Sequence, residues 1–142
     1  VQIKTDDRGC LIINAPDVAE ETVVTNDLVE IITPSKFKWL GRFDNIINTG
    51  GIKIIPENVE ALLEKYLDRR FFISSQSDEL LGERIILIIE GKAFSQKESE
   101  GLSNFMRNNL TKFSIPKAVF FIQKFLETDS GKIKRIATKE LL

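Results

Sequence analysis

Apolar and polar positions alternate along the chain in two different ways. Over the first forty or so residues, short apolar runs are interrupted by turn-forming clusters. Runs at 1–4 and 10–13 flank Asp6-Asp7-Arg8-Gly9, an acidic pair and a glycine that predict a hairpin. Ala15-Pro16-Asp17 breaks the pattern. Runs at 23–25, 28–32 and 37–40 then read as strands separated by Asn26-Asp27 and by Thr33-Pro34-Ser35, a piece of antiparallel sheet or barrel edge.

From Asp44 onward the periods of two and of 3.6 residues alternate. Short β-type runs at 45–48 and 52–55 surround Thr49-Gly50-Gly51, and adjacent glycines permit the positive φ of a tight hairpin. Pro56 suits a first helical turn and Glu57 complements the helix dipole; Val59, Leu62, Leu63, Tyr66 and Leu67 then recur at helical spacing. Residues 71–74 and 84–90 read as strands, the second apolar enough to lie at the centre of a sheet. Ser95 and Glu98 form a capping-box pattern ahead of Leu102, Phe105, Met106 and Leu110 on one helical face. A strand at 118–123, the polar loop Glu127-Thr128-Asp129-Ser130-Gly131 and a short helical segment complete the chain. The expected fold class is α+β, a small mixed sheet packed with helices and preceded by a short antiparallel β segment.

Composition narrows the functional classes. The chain has 142 residues, with 20 basic and 21 acidic side chains and a formal net charge of −1. That balance offers no global attraction to nucleic acid or to an anionic membrane, so neither is expected as a partner. Residues 101–142 nevertheless carry 8 basic against 3 acidic groups, a basic tail suited to an anionic partner or ligand. Histidine is absent and Cys10 stands alone, which removes His-based triads, His metal sites and intrachain disulfides. No metal-binding residue is expected, and chemistry must rest on Lys, Arg, carboxylates, hydroxyls and backbone amides. The lone cysteine suits a reducing compartment, and cytoplasmic localisation is expected. The longest apolar run, 85–89, is far short of a membrane span. The chain begins at Val1 with no basic-then-apolar leader after it, so no signal peptide is visible in these residues, and the absence of an initiator Met suits a fragment.

Three segments are candidates for chemistry, each with a plainer explanation. Asp27, in Thr25-Asn26-Asp27-Leu28, could accept bonds from two vicinal hydroxyls as a ribose carboxylate does; taken alone, these four residues are better explained as a polar turn between strands. Arg42 and Lys53 flank Gly50 and Gly51 with fixed positive charge, which would suit an anionic ligand approaching close to the backbone, or simply a hairpin with surface charges. Lys132, after Gly131 in the hydroxylated loop, could place an ammonium against charge developing on a phosphate or carboxylate, or could simply be solvated. It does not form a P-loop, since Leu126 and Ile133 stand where that pattern needs glycine and a hydroxyl.

Taken together, the order of these segments resembles the closing motifs of the adenylate-forming superfamily: acyl-CoA and aryl-CoA synthetases, peptide-synthetase adenylation domains and luciferases. The family's Thr-Gly-Asp-Leu is similar to Thr25-Asn26-Asp27-Leu28. Its Gly-Arg-x-Asp-Asp, Gly-Gly and Pro-x-x-Val/Ile-Glu are similar to Gly41-Arg42-Phe43-Asp44-Asn45, Gly50-Gly51, and Pro56 with Val59-Glu60. Its closing Thr-x-x-Gly-Lys-x-x-Arg is similar to the segment from Thr128 to Arg135. The resemblance covers nearly the whole chain. It implies that Asp27 holds the ribose of ATP, that Arg42 assists at the nucleotide and that Asp44 is the hinge of a rotating lid. It also implies that Lys132 contacts the carboxylate and α-phosphate, and that Gly50 and Gly51 leave room for the pantetheine arm of coenzyme A beside Lys53. ATP, Mg²⁺ and coenzyme A follow as substrates and cofactor of the full-length enzyme. Residues 1–43 would be the edge of a large N-terminal adenylating domain, which is the expected partner, and 44–142 the C-terminal lid.

Departures from the family pattern fall at three places. Asn26 replaces glycine, Leu126-Glu127 replaces a frequent Pro-Arg, and Lys53 replaces a frequent arginine, turning a forked contact into a point charge. The ATP loop and acyl pocket of the family are missing from these residues, so the fragment alone should be inactive. Within the superfamily, the stretch from Gly41 to Glu57 is most similar to o-succinylbenzoate–CoA ligases of menaquinone synthesis. Other aryl or fatty acid–CoA ligases, a domain that loads a carrier protein, and a nucleotide- or protein-binding module without chemistry are the alternatives.

Overall fold

A computed structural model describes residues 1–142, and the chain divides into two units, Val1–Ile46 and Ile47–Leu142. The first is an antiparallel sheet of four strands in sequence order: β1 (Gln2–Thr5), β2 (Cys10–Asn14), β3 (Val23–Thr33) and β4 (Lys36–Arg42). The β1–β2 turn forms where the acidic pair predicted it. The Asp6 carboxylate accepts the backbone N–H groups of Arg8 and Cys10 at 2.8 and 3.0 Å, and Gly9 supplies a φ of +82°. The amide of Cys10, followed by the contacts of Arg8, holds the Asp6 carboxyl below its usual range. Cys10, Leu11, Leu28 and Val29 are the buried apolar residues of this unit.

Strand β3 corrects the sequence reading. It runs unbroken through Asn26 and Asp27, where a turn between two shorter strands was predicted. The polar pair stays extended because both edges of the strand are engaged: Leu28 lies opposite Cys10 on β2, and Asp27 opposite Arg42 on β4. Register shifts between Cys10 and Ile12 and between Leu28 and Val29 accommodate the polar residues without ending the ladder.

The second unit follows a 3₁₀ turn at Phe43–Asn45. It comprises β5 (Ile47–Thr49), β6 (Ile52–Ile54), α1 (Pro56–Leu63), β7 (Phe71–Asp78), β8 (Gly82–Glu90), α2 (Gln96–Asn109), β9 (Ala118–Ile122) and α3 (Arg135–Lys139). The sheet order is β6-β5-β8-β7, with β9 parallel to β8. The apolar run is therefore the central strand, as its composition predicted. Along β7 it pairs from Ile89 to Gly82, and its other edge is shared by β9 at Ile86–Glu90 and by Thr49 of β5 at Gly82.

The period-two alternation of β8 builds two cores. Ile85, Leu87 and Ile89 face Val59 and Leu63 of α1 and Leu102 and Met106 of α2. Ile86 and Ile88 face the other way, onto Phe72, Ile122 and Phe125. All five β8 residues are at most 1% exposed; burying each such side chain contributes about 1.5–3 kcal/mol. Helix α2 carries the predicted capping box: Ser95 Oγ accepts Glu98 N–H at 3.2 Å and Glu98 Oε1 accepts Ser95 N–H at 3.1 Å.

The largest boundary differences from the sequence reading are at the ends of α1 and β7; β4, β5 and β8 also shift, β5 beginning at Ile47 because Phe43–Asn45 forms the 3₁₀ turn. Helix α1 ends at Leu63 instead of continuing to Leu67: the Lys65 and Tyr66 amides donate three residues back, to the Leu62 and Leu63 carbonyls, and only the Leu67 amide reaches four back again, also to Leu63 O. Leu67 still enters the core, while half-exposed Tyr66 stacks on Phe105 with centroids 4.8 Å apart. Strand β7 extends to Asp78 because polar Ser74 to Asp78 keep their pairing with β8. No helix is long and apolar enough to cross a membrane.

Candidate functional site

In the first unit, the β3–β4 register brings Asp27 and Arg42 face to face. Arg42 Nη1 lies 3.4 Å from Asp27 Oδ1, and Trp39, two strand positions before Gly41, donates its indole N–H to the same oxygen at 3.2 Å. The carboxylate is thus oriented from two sides while about a third of it stays exposed, with 30% side-chain exposure. Trp39 was not singled out by sequence reasoning; its only signal was an aromatic residue on a half-exposed strand, which is uninformative alone.

Asn26, one of the departures from the family pattern, takes part in a polar relay that a glycine could not make. Arg8 Nη1 donates to Asn26 Oδ1 at 2.9 Å, and Asn26 Nδ2 donates to Asp44 Oδ2 at 3.3 Å. The Arg8 guanidinium also binds Asp6 and the Thr25 carbonyl and lies 5.0 Å from the centre of the Phe43 ring. The structure therefore groups Asp27, Arg42 and Asp44 at one end of the β3–β4 ladder, with Asp44 held in the 3₁₀ turn.

In the second unit, Gly50 and Gly51 form the two-residue β5–β6 turn with φ of +57° and +81°, the geometry that primed hairpin turns require. A side chain at Gly50 would meet Leu81 at 3.3 Å, and Gly50 N–H donates to the Leu81 carbonyl at 2.9 Å. Lys53, on β6, lies opposite Asn48 of β5 and is exposed.

Lys132 stands on a hairpin-like loop closed by the Glu127–Ile133 bridge. Thr128 organises it: its N–H donates to Lys132 O at 2.8 Å, its carbonyl accepts Gly131 N–H at 2.9 Å, and its hydroxyl accepts Lys132 N–H at 3.1 Å. Gly131, at φ +83°, serves this turn. The Lys132 side chain is exposed and makes no hydrogen bond or ion pair, so its ammonium is available to a ligand. No three His, Cys, Asp or Glu side chains stand together in a way that could hold a metal.

Two ion-pair clusters missed by sequence reasoning flank this loop. Arg70 on the approach to β7 binds Glu90 with Nε and Nη2 at 3.1 and 2.6 Å and Glu127 with Nη1 at 2.7 Å. The Arg70 contacts and the Phe125 amide hold Glu90 below the usual carboxylate range, and the two glutamates raise Arg70. Arg135 forms a two-pronged pair with Glu60, Nη1 to Oε2 at 2.9 Å and Nη2 to Oε1 at 2.8 Å. Both Glu60 and Arg135 lie in motif segments, but a pairing across 75 residues leaves no local periodicity to read.

No protein-family model matches the chain. It is 32% identical to oxalate–CoA ligase of Arabidopsis thaliana over 112 residues, 78% of this chain and 22% of that protein. It is 34% identical to an acyl-CoA synthetase (AMP-forming)/AMP-acid ligase II-like protein from Dyadobacter fermentans; the crystal structure of that protein matches with a TM-score of 0.66 over 99% of this chain and 41% of the other. A variant of E. coli MenE with bound OSB-AMS has the same fold, at 23% identity and a TM-score of 0.74 over 99% of this chain and 33% of the other. The chain spans about a fifth of the length of the curated relatives it matches. These similar proteins are members of the adenylate-forming, acyl-CoA synthetase superfamily, and the mixed α+β fold matches the C-terminal domain of those enzymes.

Proposed function

We propose that this chain is the C-terminal part of an AMP-forming acid–CoA ligase, in which a carboxylate attacks the α-phosphate of ATP to form an acyl-adenylate and release pyrophosphate, and the thiol of coenzyme A then attacks the acyl carbon to form the thioester and release AMP. The observation that carries the reading is the Lys132 loop: an unpaired ammonium on a backbone that is itself firmly hydrogen-bonded. Attack on the α-phosphate concentrates negative charge at one point, and a pre-positioned lysine there lowers the barrier of that step more than it stabilises the ground state. The identity with CoA ligases over most of the chain supports the same reaction class.

In this reading residues 1–43 complete the edge of an adenylating domain and 44–142 form the lid. Asp27, oriented by Trp39 and Arg42, holds the ribose hydroxyls of the nucleotide. ATP enters as its Mg²⁺ complex, with the metal held by phosphate oxygens. The lid turns about Asp44 between the half-reactions, bringing the Gly50–Gly51 turn and Lys53 toward the arm of coenzyme A. The favoured acid is o-succinylbenzoate, which would put the enzyme in menaquinone synthesis in the cytoplasm; similarity of the 41–57 stretch to that group of ligases supports it. The test uses the full-length parent protein with ATP, Mg²⁺ and a panel of o-succinylbenzoate, oxalate, benzoate and hexanoate, each with and without coenzyme A. Selective, coenzyme-A-dependent AMP release with o-succinylbenzoate is expected. Turnover of another acid would retain the mechanism and replace the substrate, and pyrophosphate release from none of them would overturn the reading.

A further inference from the structure

The Lys132 loop is fastened at both ends to the body of its unit. On the entering side Glu127 is bound by Arg70, which is itself locked to Glu90, and the Glu90 carboxylate accepts the Phe125 amide at 2.8 Å. On the leaving side α3 begins at Arg135, whose guanidinium reaches Glu60 on α1 and lies 5.6 Å from the centre of the Phe72 ring. Glu60 is 8% exposed, and its Oε2 also accepts the Ile73 N–H on β7 at 3.4 Å. Thr138 completes the fastening. It is fully buried, and its hydroxyl contacts both the amide and the carbonyl of Leu126.

These contacts do more than a five-residue helix could do alone, since an isolated segment of that length is not stable. A two-pronged arginine–carboxylate pair fixes direction as well as distance. The lysine side chain is long and flexible, so the place where its ammonium arrives depends on the backbone that carries it. Glu60 in turn needs Arg135, because a desolvated carboxylate without its partner is costly.

We propose that the Glu60–Arg135 pair sets the position of the Lys132 loop, so that Glu60 and Arg135 are positioning residues for the adenylation step. The proposal rests on the role given to Lys132 above. Neither side chain touches the Lys132 ammonium; both act through the backbone between Leu126 and Thr138. Arg70 and Glu127 hold the same loop from the other end.

Arg135→Gln and Glu60→Gln test this, the latter retaining an acceptor for Ile73 N–H. In the 142-residue chain, amide exchange at Thr128, Gly131 and Lys132 should quicken about tenfold, with the Ile86–Ile88 amides of β8 unchanged. In the full-length ligase, with the fastest acid of the panel, ATP–pyrophosphate exchange should fall by about tenfold or more. Thioester formation from the supplied acyl-adenylate should stay within about twofold of wild type, and Arg135→Lys should recover only part of the loss because an ammonium cannot reproduce the fork. Unchanged loop exchange would overturn the proposal. So would equal loss of both half-reactions, which a purely structural role predicts. If Lys132→Ala itself left adenylation at the wild-type rate, or if no acid turned over, the functional reading would fail separately, and loop exchange alone would decide whether the pair holds the loop.

Discussion

Replacing Phe125 by alanine probes the smaller of the two cores, the one directly beneath the Lys132 loop. Phe125 is 1% exposed and packs on Phe72 edge to face, with centroids 5.3 Å apart and planes at 69°. Its cluster holds only five buried residues, so few neighbours can move to fill the space. Truncating a buried phenylalanine costs about 3–5 kcal/mol, of which the edge-to-face contact accounts for about 0.5–1.5 kcal/mol. That is a large share of the roughly 5–15 kcal/mol that holds an ordinary domain together. Urea unfolding followed by the helical circular-dichroism signal is a suitable assay, since all three α-helices lie in the second unit. Phe113→Ala is the control: this residue is 56% exposed, and its truncation should change stability by no more than about 0.5 kcal/mol. A loss below about 1 kcal/mol for Phe125→Ala would refute the packing described for this face of the sheet.

Glu90 carries a testable pH dependence. Its folded-state carboxyl sits below its ordinary value because of Arg70 and the Phe125 amide, so the stabilisation is complete above the usual carboxylate range and is lost as pH falls from that range through the lowered folded-state value. The difference in Tm between wild type and Glu90→Gln should accordingly shrink on going from neutral to about pH 3; a constant difference would contradict the pairing. Ser95→Ala removes the acceptor at the start of α2 and should cost about 1 kcal/mol in urea unfolding. Asp44→Pro, by restricting φ at the proposed hinge, should slow thioester formation far more than adenylation in the full-length enzyme. Equal loss of the two would argue against a hinge at Asp44.

What could be read from the sequence was local. The capping box at Ser95, the double glycine of the β5–β6 turn and the apolar run of β8 each carry their signal within a few residues, and each forms as expected. Strand β3 was misread because Asn26 and Asp27 favour turns in isolation, and only pairing with β2 and β4 keeps them extended. The end of α1 was missed for a related reason: Leu67 keeps helical spacing to the core, and its amide still reaches Leu63 O, although the turn at Lys65 and Tyr66 in between has tightened. The arginine–carboxylate pairs lay out of reach of any pattern, because Glu60 and Arg135, or Arg70 and Glu127, meet only after the sheet and helices have assembled.

Lys132→Ala in the full-length parent protein is the most direct test of the central claim. Lys132 is exposed and unpaired, so the substitution should leave folding intact, with Tm unchanged within error. Pyrophosphate release with ATP and the preferred acid should fall by about a hundredfold or more, while coenzyme A should still accept the acyl group from supplied acyl-adenylate at close to the wild-type rate. Pyrophosphate release at the wild-type rate would contradict the assignment of Lys132 to adenylation.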